Sequence, residues 1–400
     1  MKKTLILLLA CAALTACRHA APTDRIVDEN IRNAVAQLTR LNAASFEQGT
    51  PQIPSTYRDG AVVFVPIDDW VSGFFAGNLW YLYRLTGDAC WAHDARRHTA
   101  ILDSVKYLRW HHDVGFMINC SYGNGLLFAP EAGDEEVMVT AARSLASRYI
   151  PSARVIQSWN VDRGWQAERG WRCPVIIDNM MNLELLFKAT QLSGDSTFYR
   201  IAVAHADRTL EEHFREDGSC YHVVDYDPAT GAVRRRCTAQ GYADESSWAR
   251  GQAWALYGYT LCYRYTHDER YLRHAEKVAA MIRRNLPEDL VPYWDYNDPK
   301  APETYRDASS AAIVASALYE LSTYTGKADD KAFADGIVAS LSTPAYRAAE
   351  GENGGFLLMH SVGSLPHGSS IDVPLNYADY YFLEALLRKR NLETGLPVLN

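Results

Sequence analysis

The sequence predicts an all-α fold, an (α/α)6 barrel in which helical hairpins close into a ring. Two observations carry this. Helix-ending markers recur along the chain, and the two helices of a hairpin differ in how many of their faces are apolar. A third is that alternating, strand-like runs are scarce, with only Tyr221–Tyr226 and Ala61–Pro66 reading as small strands.

The markers come first. They are Leu85-Thr86-Gly87-Asp88, Leu192-Ser193-Gly194-Asp195, Tyr265-Thr266-His267-Asp268 and Tyr324-Thr325-Gly326-Lys327. Glycine accepts the left-handed conformation that ends a helix. An aspartate beside it can cap the helix that follows. The markers are separated by 107, 73 and 59 residues (88 to 195, 195 to 268, 268 to 327). A TPR-type solenoid would need a short fixed period, which is missing. The wide first gap leaves room for an unmarked hairpin and long loops.

The helices come next. Trp248 to Tyr265 carries apolar residues nearly all round, including Ala253, Trp254, Leu256, Tyr257 and Leu261. That pattern requires burial on several sides. Tyr271 to Ile282 keeps Leu272, Ala275, Val278, Ala279 and Ile282 on one stripe, with Arg273, Glu276 and Lys277 elsewhere. The same contrast separates Trp70–Leu85 from Cys90–Trp110. An inner ring of buried helices inside an outer, half-wet ring satisfies both patterns. Loops and inner-helix N-termini then line one mouth.

The N-terminus is a targeting device. Lys2 and Lys3 precede a short apolar run, Thr4 to Leu14, too short to span a bilayer. Leu14-Thr15-Ala16-Cys17 then resembles a bacterial lipobox, in which Cys17 is lipidated and becomes the new N-terminus. The alternative is an ordinary cleaved signal peptide. The boundaries expected are a signal over 1–16 and a single domain over 17–400. No acidic run follows Cys17, so the expected location is the cell envelope, lipid-anchored and facing the periplasm.

Composition narrows the partners. Hydrophobic residues make up 48%, enough for a large core. Net charge is −8, and −10 once Lys2 and Lys3 leave (−8 − 2). Nucleic acid and long polyanions are therefore poor partners, while a small anion can still bind local donors. The aromatic content of 12% fits both a helical core and sugar stacking. Cys11 and Cys17 lie in the signal region. Cys90, Cys120, Cys173, Cys220, Cys237 and Cys262 form no CxxC pair, so no zinc or redox site is expected, and any disulfide pairing is unreadable. Oligomeric state is unreadable too.

Four segments carry chemistry: Asp68-Asp69-Trp70-Val71-Ser72-Gly73-Phe74-Phe75, His111-His112-Asp113-Val114-Gly115-Phe116, Ile177-Asp178-Asn179-Met180-Met181-Asn182-Leu183 and Ser247-Trp248-Ala249-Arg250-Gly251-Gln252-Ala253-Trp254. Three open inner-type helices, whereas His111–Phe116 reads as a loop after an outer helix. From about Trp70 to Arg388, with these four segments in order, the chain resembles glycoside hydrolase family 88, the unsaturated glucuronyl hydrolases. The resemblance implies removal of a 4,5-unsaturated uronic acid from the non-reducing end of lyase-generated, glycosaminoglycan-type oligosaccharides. It implies Asp113 and Asp178 as the carboxylate pair, and Trp70, His222, Gln240, Trp248, Arg250 and Trp254 around the sugar. No cofactor is expected.

Each of these residues also has a plainer reading. Asp178 can be the N-cap of the helix it precedes, which would lower its pKa and spoil it as an acid. A nearby Asp113 charge would raise it again. Asp113 can be a turn residue before Gly115. His111 and His112 lack a third metal partner at ligand spacing. Arg250, inside an apolar helix, must be paired, with Asp244 or Glu245 the nearest candidates, or else meet the substrate carboxylate. Trp70 and at least one of Trp248 and Trp254 can be core. His222 and Gln240 are promoted only by the resemblance. The loop Gly363–Ile371 can border the leaving sugar.

The chemistry suits one acid. A C4=C5 bond beside the ring oxygen is an enol ether. Protonating C4 leaves an oxocarbenium-like C5, which takes water without a glycosyl-enzyme intermediate. The carboxylate-separation rule for retaining and inverting enzymes then loses its meaning. The competing readings are an unsaturated rhamnogalacturonyl hydrolase acting on pectin fragments, a polysaccharide lyase on a similar toroid, and a non-catalytic glycan-binding lipoprotein.

Overall fold

The computed structural model describes residues 24–399, so the expected signal over 1–16 and Cys17 lie outside the described residues. Within them, an outer helix α1 (Arg25–Ser45) is followed by the inner helix α2 (Ser72–Thr86) and the outer helix α3 (Ala89–Ala100). A broken inner helix comes next: α4 (Val114–Ile118), a π turn (Asn119–Gly123) and α5 (Asn124–Phe128). Then follow outer α6 (Asp134–Ala146), a short loop helix α7 (Gly164–Glu168), inner α8 (Asn179–Ser193) and outer α9 (Ser196–Glu212). Inner α10 (Ala249–Thr266), outer α11 (Glu269–Asn285), inner α12 (Ala308–Thr325), outer α13 (Ala328–Leu341) and inner α14 (Asn376–Glu393) complete the chain. Helix α14 packs on both α12 and α2, which closes the ring, and α1 covers the seam.

The caps explain the turns. Gly87, Gly194 and Gly326 end inner helices at φ +74°, +72° and +66°, and His267 takes the same role at +53°. The Asp88, Asp195 and Asp268 carboxylates accept the backbone N–H of Cys90, Thr197 and Arg270 at 2.9, 2.9 and 2.8 Å. Lys327, at the fourth marker, makes no such bond. Every residue from Asn179 to Phe187 and from Ala249 to Cys262 is buried, as an inner position demands.

Two boundaries differ from the sequence reading. Helix α3 stops at Ala100 rather than reaching Trp110, and a 3-10 turn spans Asp103–Tyr107. Asp103 and Ser104 compete for backbone hydrogen bonds and weaken a helix interior there. Also, the loop expected over His111–Phe116 holds only for His111–Asp113: Val114 begins the broken inner helix, with Asp113 just ahead of it. This is the hairpin hidden in the wide first gap. Its pieces are five residues each, too short to show helical periodicity. Gly115 is required by contact. A Cβ there would stand 2.4 Å from Asn182 Oδ1, because α4 lies directly against α8.

Strands are few. Ile53–Arg58 pairs with Ala61–Val65, and Tyr149–Ile150 with Val155–Ile156. Val223–Tyr226 is the central strand between Pro174–Ile176 and Val233–Cys237. The segment read as a loop over Gly363–Ile371 belongs to a hairpin, Ser361–Ser364 against Ser369–Val373. The six cysteines of the described residues are free thiols. No described helix is long and apolar enough to cross a membrane.

Candidate active site

Inner helices start at the mouth, so their first turns gather there from segments distant in sequence. Strand Pro174–Ile176 runs straight into Asp178, and the Ile177 N–H donates to the His222 carbonyl at 3.0 Å. This bond sets the two side chains face to face, with His222 Nε2 3.7 Å from Asp178 Oδ2. The His222 ring is oriented by its other nitrogen, since Nδ1 accepts the backbone N–H of Ala239 and Gln240 at 3.1 and 3.2 Å. Nε2 must then carry the proton. Burial, helped by the nearby Arg250 charge, holds this imidazole neutral, with its pKa far below the ordinary value.

Asp178 does not cap its helix. Its backbone is already helical, at φ −54° and ψ −28°, and its side chain makes no capping bond. The residue is 6% exposed and its Oδ2 has no hydrogen-bond partner. Burial pushes its pKa up to about 7, and the Asp113 charge adds to the rise. The Arg250 charge and, more weakly, the Trp254 indole pull the other way.

Asp113 has the opposite surroundings. Its Oδ2 lies 3.2 Å from His111 Nδ1 and its Oδ1 3.2 Å from His112 Nε2. Burial raises this carboxyl too, but the two imidazoles and the Asn182 amide outweigh it and hold the pKa below the usual range. Asn182 also accepts the Phe116 N–H at 2.8 Å, which locks α4 onto α8 and fixes Asp113 relative to Asp178. One carboxyl is thus poised to carry a proton near neutrality while the other stays ionised.

The remaining residues form one continuous wall. His222 meets Trp248 at 4.6 Å between ring centroids, and Arg250 lies 4.4 Å over Trp248. Trp254 packs on Phe116 at 5.2 Å, and Phe116 on Trp70 at 5.8 Å. Trp70 and Asp113 line a cleft of about 310 Å³ with Asp68, Asp69, His111 and Trp159. Arg250 departs from the sequence reading. Its partner is neither Asp244 nor Glu245 but Asp307, at 3.3 Å, with the carbonyls of Val362 and Gly363 at 2.5 Å and Gln240 Oε1 at 2.9 Å. Those bonds occupy both terminal nitrogens and leave only Nε without a partner. Arg250 therefore ties Gln240 and the Ser361–Ser364 strand to α10.

Three contributors were missed. Tyr377 is buried with an unpartnered hydroxyl, 4.9 Å from Trp70 and 5.4 Å from the Arg250 guanidinium. Nothing in its local sequence marks it. Asn182 was within reach, since it lies four residues after Asp178 and hence on the same helix face. Asp69, which accepts the Val71 N–H at 3.0 Å, adds a third carboxyl to the cleft. A larger cavity, about 390 Å³, lies toward the other, closed end of the barrel; neither aspartate of the pair lines it, although Gly115 and Phe116 do.

The chain is similar to known proteins over most of its length. No family model matches the chain. The unsaturated glucuronyl hydrolase of Formosa agariphila is 46% identical over 331 residues, 82% of each chain. A crystal structure of an unsaturated glucuronyl hydrolase specific for heparin superposes with a TM-score of 0.88 at 42% identity, covering 94% of this chain and 99% of that one. An aspartate-to-asparagine mutant of the Streptococcus agalactiae enzyme, complexed with dGlcA-GalNAc6S, superposes at 0.76 with 28% identity, covering 92% of each. The chain belongs to the unsaturated glucuronyl hydrolases, glycoside hydrolase family 88, and is a glycosidase that removes an unsaturated uronic acid from oligosaccharides.

Proposed function

We propose that Asp178 is the acid and base of this hydrolysis and that the substrate is an unsaturated, sulfated glycosaminoglycan disaccharide. The observation that carries the first half is the unpartnered, buried Asp178 carboxyl with its pKa near 7, beside an ionised Asp113 and a neutral His222. Protonated Asp178 gives its proton to C4, and positive charge develops at C5 and the ring oxygen. The Asp113 carboxylate stabilises that charge. Water attacks C5 while Asp178 takes back a proton. The hemiketal then opens by breaking the bond from C5 to the ring oxygen. The hemiacetal left at C1 expels the aglycone. Trp70, Trp248 and Trp254 shape the apolar wall, His222 Nε2–H donates toward the uronate, and Gln240 is held for it by Arg250.

The second half rests on the relatives, one specific for heparin and one bound to dGlcA-GalNAc6S. The experiment is the loss of the enoate ultraviolet absorbance in a panel of lyase-generated disaccharides. Hydration destroys that chromophore, whereas simple binding preserves it. Undiminished absorbance across the whole panel would overturn the reading.

We propose further that 17–400 is one catalytic domain anchored through lipidated Cys17 on the periplasmic side of a membrane. Support comes from the Leu14–Cys17 motif and from the place where α1 begins. Asp24 there pairs with Lys389 near the end of α14, at the end of the barrel remote from the mouth. An anchor at this point turns the cleft away from the bilayer. Cys17→Ser should release soluble enzyme, and a mutant that fractionates with membranes as the wild type does rules the anchor out.

A further inference from the structure

The mouth holds a cation that the hydrolytic machinery does not use. Among the described residues lining the cleft, Arg163 is the one lysine or arginine. It is exposed and forms no ion pair, hydrogen bond or ring contact with any described residue. Most arginines in this protein are engaged. Arg250 is saturated at both terminal nitrogens, and Arg148 donates to the Arg109 and Gln157 carbonyls and to Asn160. A guanidinium facing a substrate cleft without a partner has five N–H donors to offer a ligand.

Its backbone is not a loose tip. Arg163 is the extended residue that opens α7, at φ −158°, and Gly164 follows in the left-handed region at +64°. The next residue, Trp165, is gripped on several sides: Trp159 at 5.1 Å, Trp171 at 5.8 Å and His367 at 4.9 Å. His367 belongs to the turn of the Ser361–Val373 hairpin, where its Nδ1 lies 2.7 Å from Ser364 Oγ. A rigid aromatic clamp therefore fixes where the Arg163 side chain starts, while the head group stays free. The acidic members of the same cleft, Asp68, Asp69 and Asp113, lie on the loop before α2 and at the start of α4. The cleft is thus electrically polarised, with its positive end at α7.

We propose that Arg163 recognises a sulfate ester on the aglycone and so sets the preference of this enzyme among unsaturated disaccharides. The proposal rests on the hydrolase reading and specifies which part of the substrate each wall receives. The uronate ring has to meet Asp113 and Asp178. The residue leaving with the aglycone then extends toward the wall of Trp159, Gln166 and Arg163. Sulfate matches the planar fork of a guanidinium, and neither group titrates near neutrality.

The test compares matched pairs of unsaturated disaccharides that differ only in one aglycone sulfate, such as dGlcA-GalNAc and dGlcA-GalNAc6S. The quantity read is the ratio of kcat/KM, sulfated over unsulfated. In at least one pair, Arg163→Ala should lower that ratio about fivefold, the scale of an exposed ion pair. The loss should appear in KM rather than kcat. Arg163→Lys should keep more than half of the preference, since charge is retained and only the fork is lost. The wild-type ratio should fall as salt rises from 0.05 to 0.5 M by roughly the same factor, and stay flat between about pH 6 and 8. If Arg163→Ala lowers both substrates equally, Arg163 serves the uronate and the proposal is overturned. A ratio that no pair sees change overturns it as well. Failure of the hydrolase reading itself looks different, because the wild-type protein would then leave every enoate intact.

Discussion

The two ends of the barrel are built from the same inner helices, yet they treat buried polar atoms in opposite ways. At the closed end, Arg264 holds Glu184 at 2.6 Å and Glu320 at 2.6 Å. Glu384 accepts hydrogen bonds from Tyr81 at 2.7 Å, Tyr257 at 2.9 Å and Ser316 at 2.5 Å. Arg388 reaches the Ser316 carbonyl at 2.8 Å and Glu320 at 3.2 Å. Each charge there is answered from within the protein. At the mouth, Asp178 Oδ2, His222 Nε2, Trp254 Nε1 and the Tyr377 hydroxyl are buried without hydrogen-bond partners. Leaving such groups unpaired costs about 1–3 kcal/mol each. A fold tolerates that where a ligand completes the bonds. The closed-end cavity is larger, but its polar lining is already satisfied, so size alone points to the wrong end.

Breaking the closed end should therefore harm stability and spare chemistry. Arg264→Met removes the partner that Glu184 and Glu320 share and leaves them to Lys188 at 3.5 Å and Arg388 at 3.2 Å, at a cost of up to about 3–5 kcal/mol. Burial raises the Glu184 carboxyl, but Lys188, Arg264 and Arg388 outweigh it and hold it at about 2. Without Arg264, that balance weakens. Thermal and urea unfolding should show the loss, while the folded fraction keeps kcat within about twofold. A mutant with normal stability and poor kcat would move this network into the catalytic machinery.

Breaking the mouth should do the reverse. Asp178→Asn keeps the shape but can neither give nor take the proton, so kcat should fall about a hundredfold or more. Stability should hold or rise at high pH. The folded pKa of Asp178 is raised from 3.8 to about 7, so its contribution is fully present below pH 3.8 and is lost as pH rises through 7. Asparagine does not titrate. Wild-type Tm should drop relative to the mutant between about pH 4 and 8, and parallel Tm curves would contradict a buried, titrating carboxyl.

The join between helices offers a smaller effect. In Gly115→Ala the new Cβ meets Asn182 Oδ1 at 2.4 Å. Overpacking of this kind costs about 1–3 kcal/mol. Because Asn182 also steadies Asp113, kcat should fall with Tm, unlike in either case above.

The sequence was legible where the rules are local. Capping at Asp88, Asp195 and Asp268, the glycine stops and the all-apolar inner helices follow from neighbours a few residues apart. The hairpin around Asp113 stayed hidden because a π turn and three glycines, Gly115, Gly123 and Gly125, erase its period. In the site, the motif residues do converge on one wall, but their partners were not readable. Asp307 is 57 positions from Arg250, and Tyr377 arrives from the last helix. The helix-capping reading of Asp178 fails because its backbone has already turned helical and its carboxyl faces His222 instead.

The smallest effect separates two causes of the same pKa. Charge repulsion between the paired carboxylates can raise Asp178, and so can burial. Burial is the larger cause and Asp113 the lesser one, with Arg250 opposing both. Removing the Asp113 charge should therefore lower the Asp178 pKa only slightly, by less than about one unit. In Asp113→Asn, turnover falls because charge stabilisation at C5 is lost. The alkaline limb of the residual rate should then move to slightly lower pH, since the acid form of Asp178 becomes scarcer near neutrality. A carbon-13 titration of the Asp178 carboxyl in the same mutant reads the shift without relying on turnover. A shift of two units or more would make Asp113 the dominant cause and the pair a tightly coupled dyad. A shift to higher pH would mean that Asp113 is not ionised beside Asp178, and the division of labour between the two carboxyls would have to be reversed.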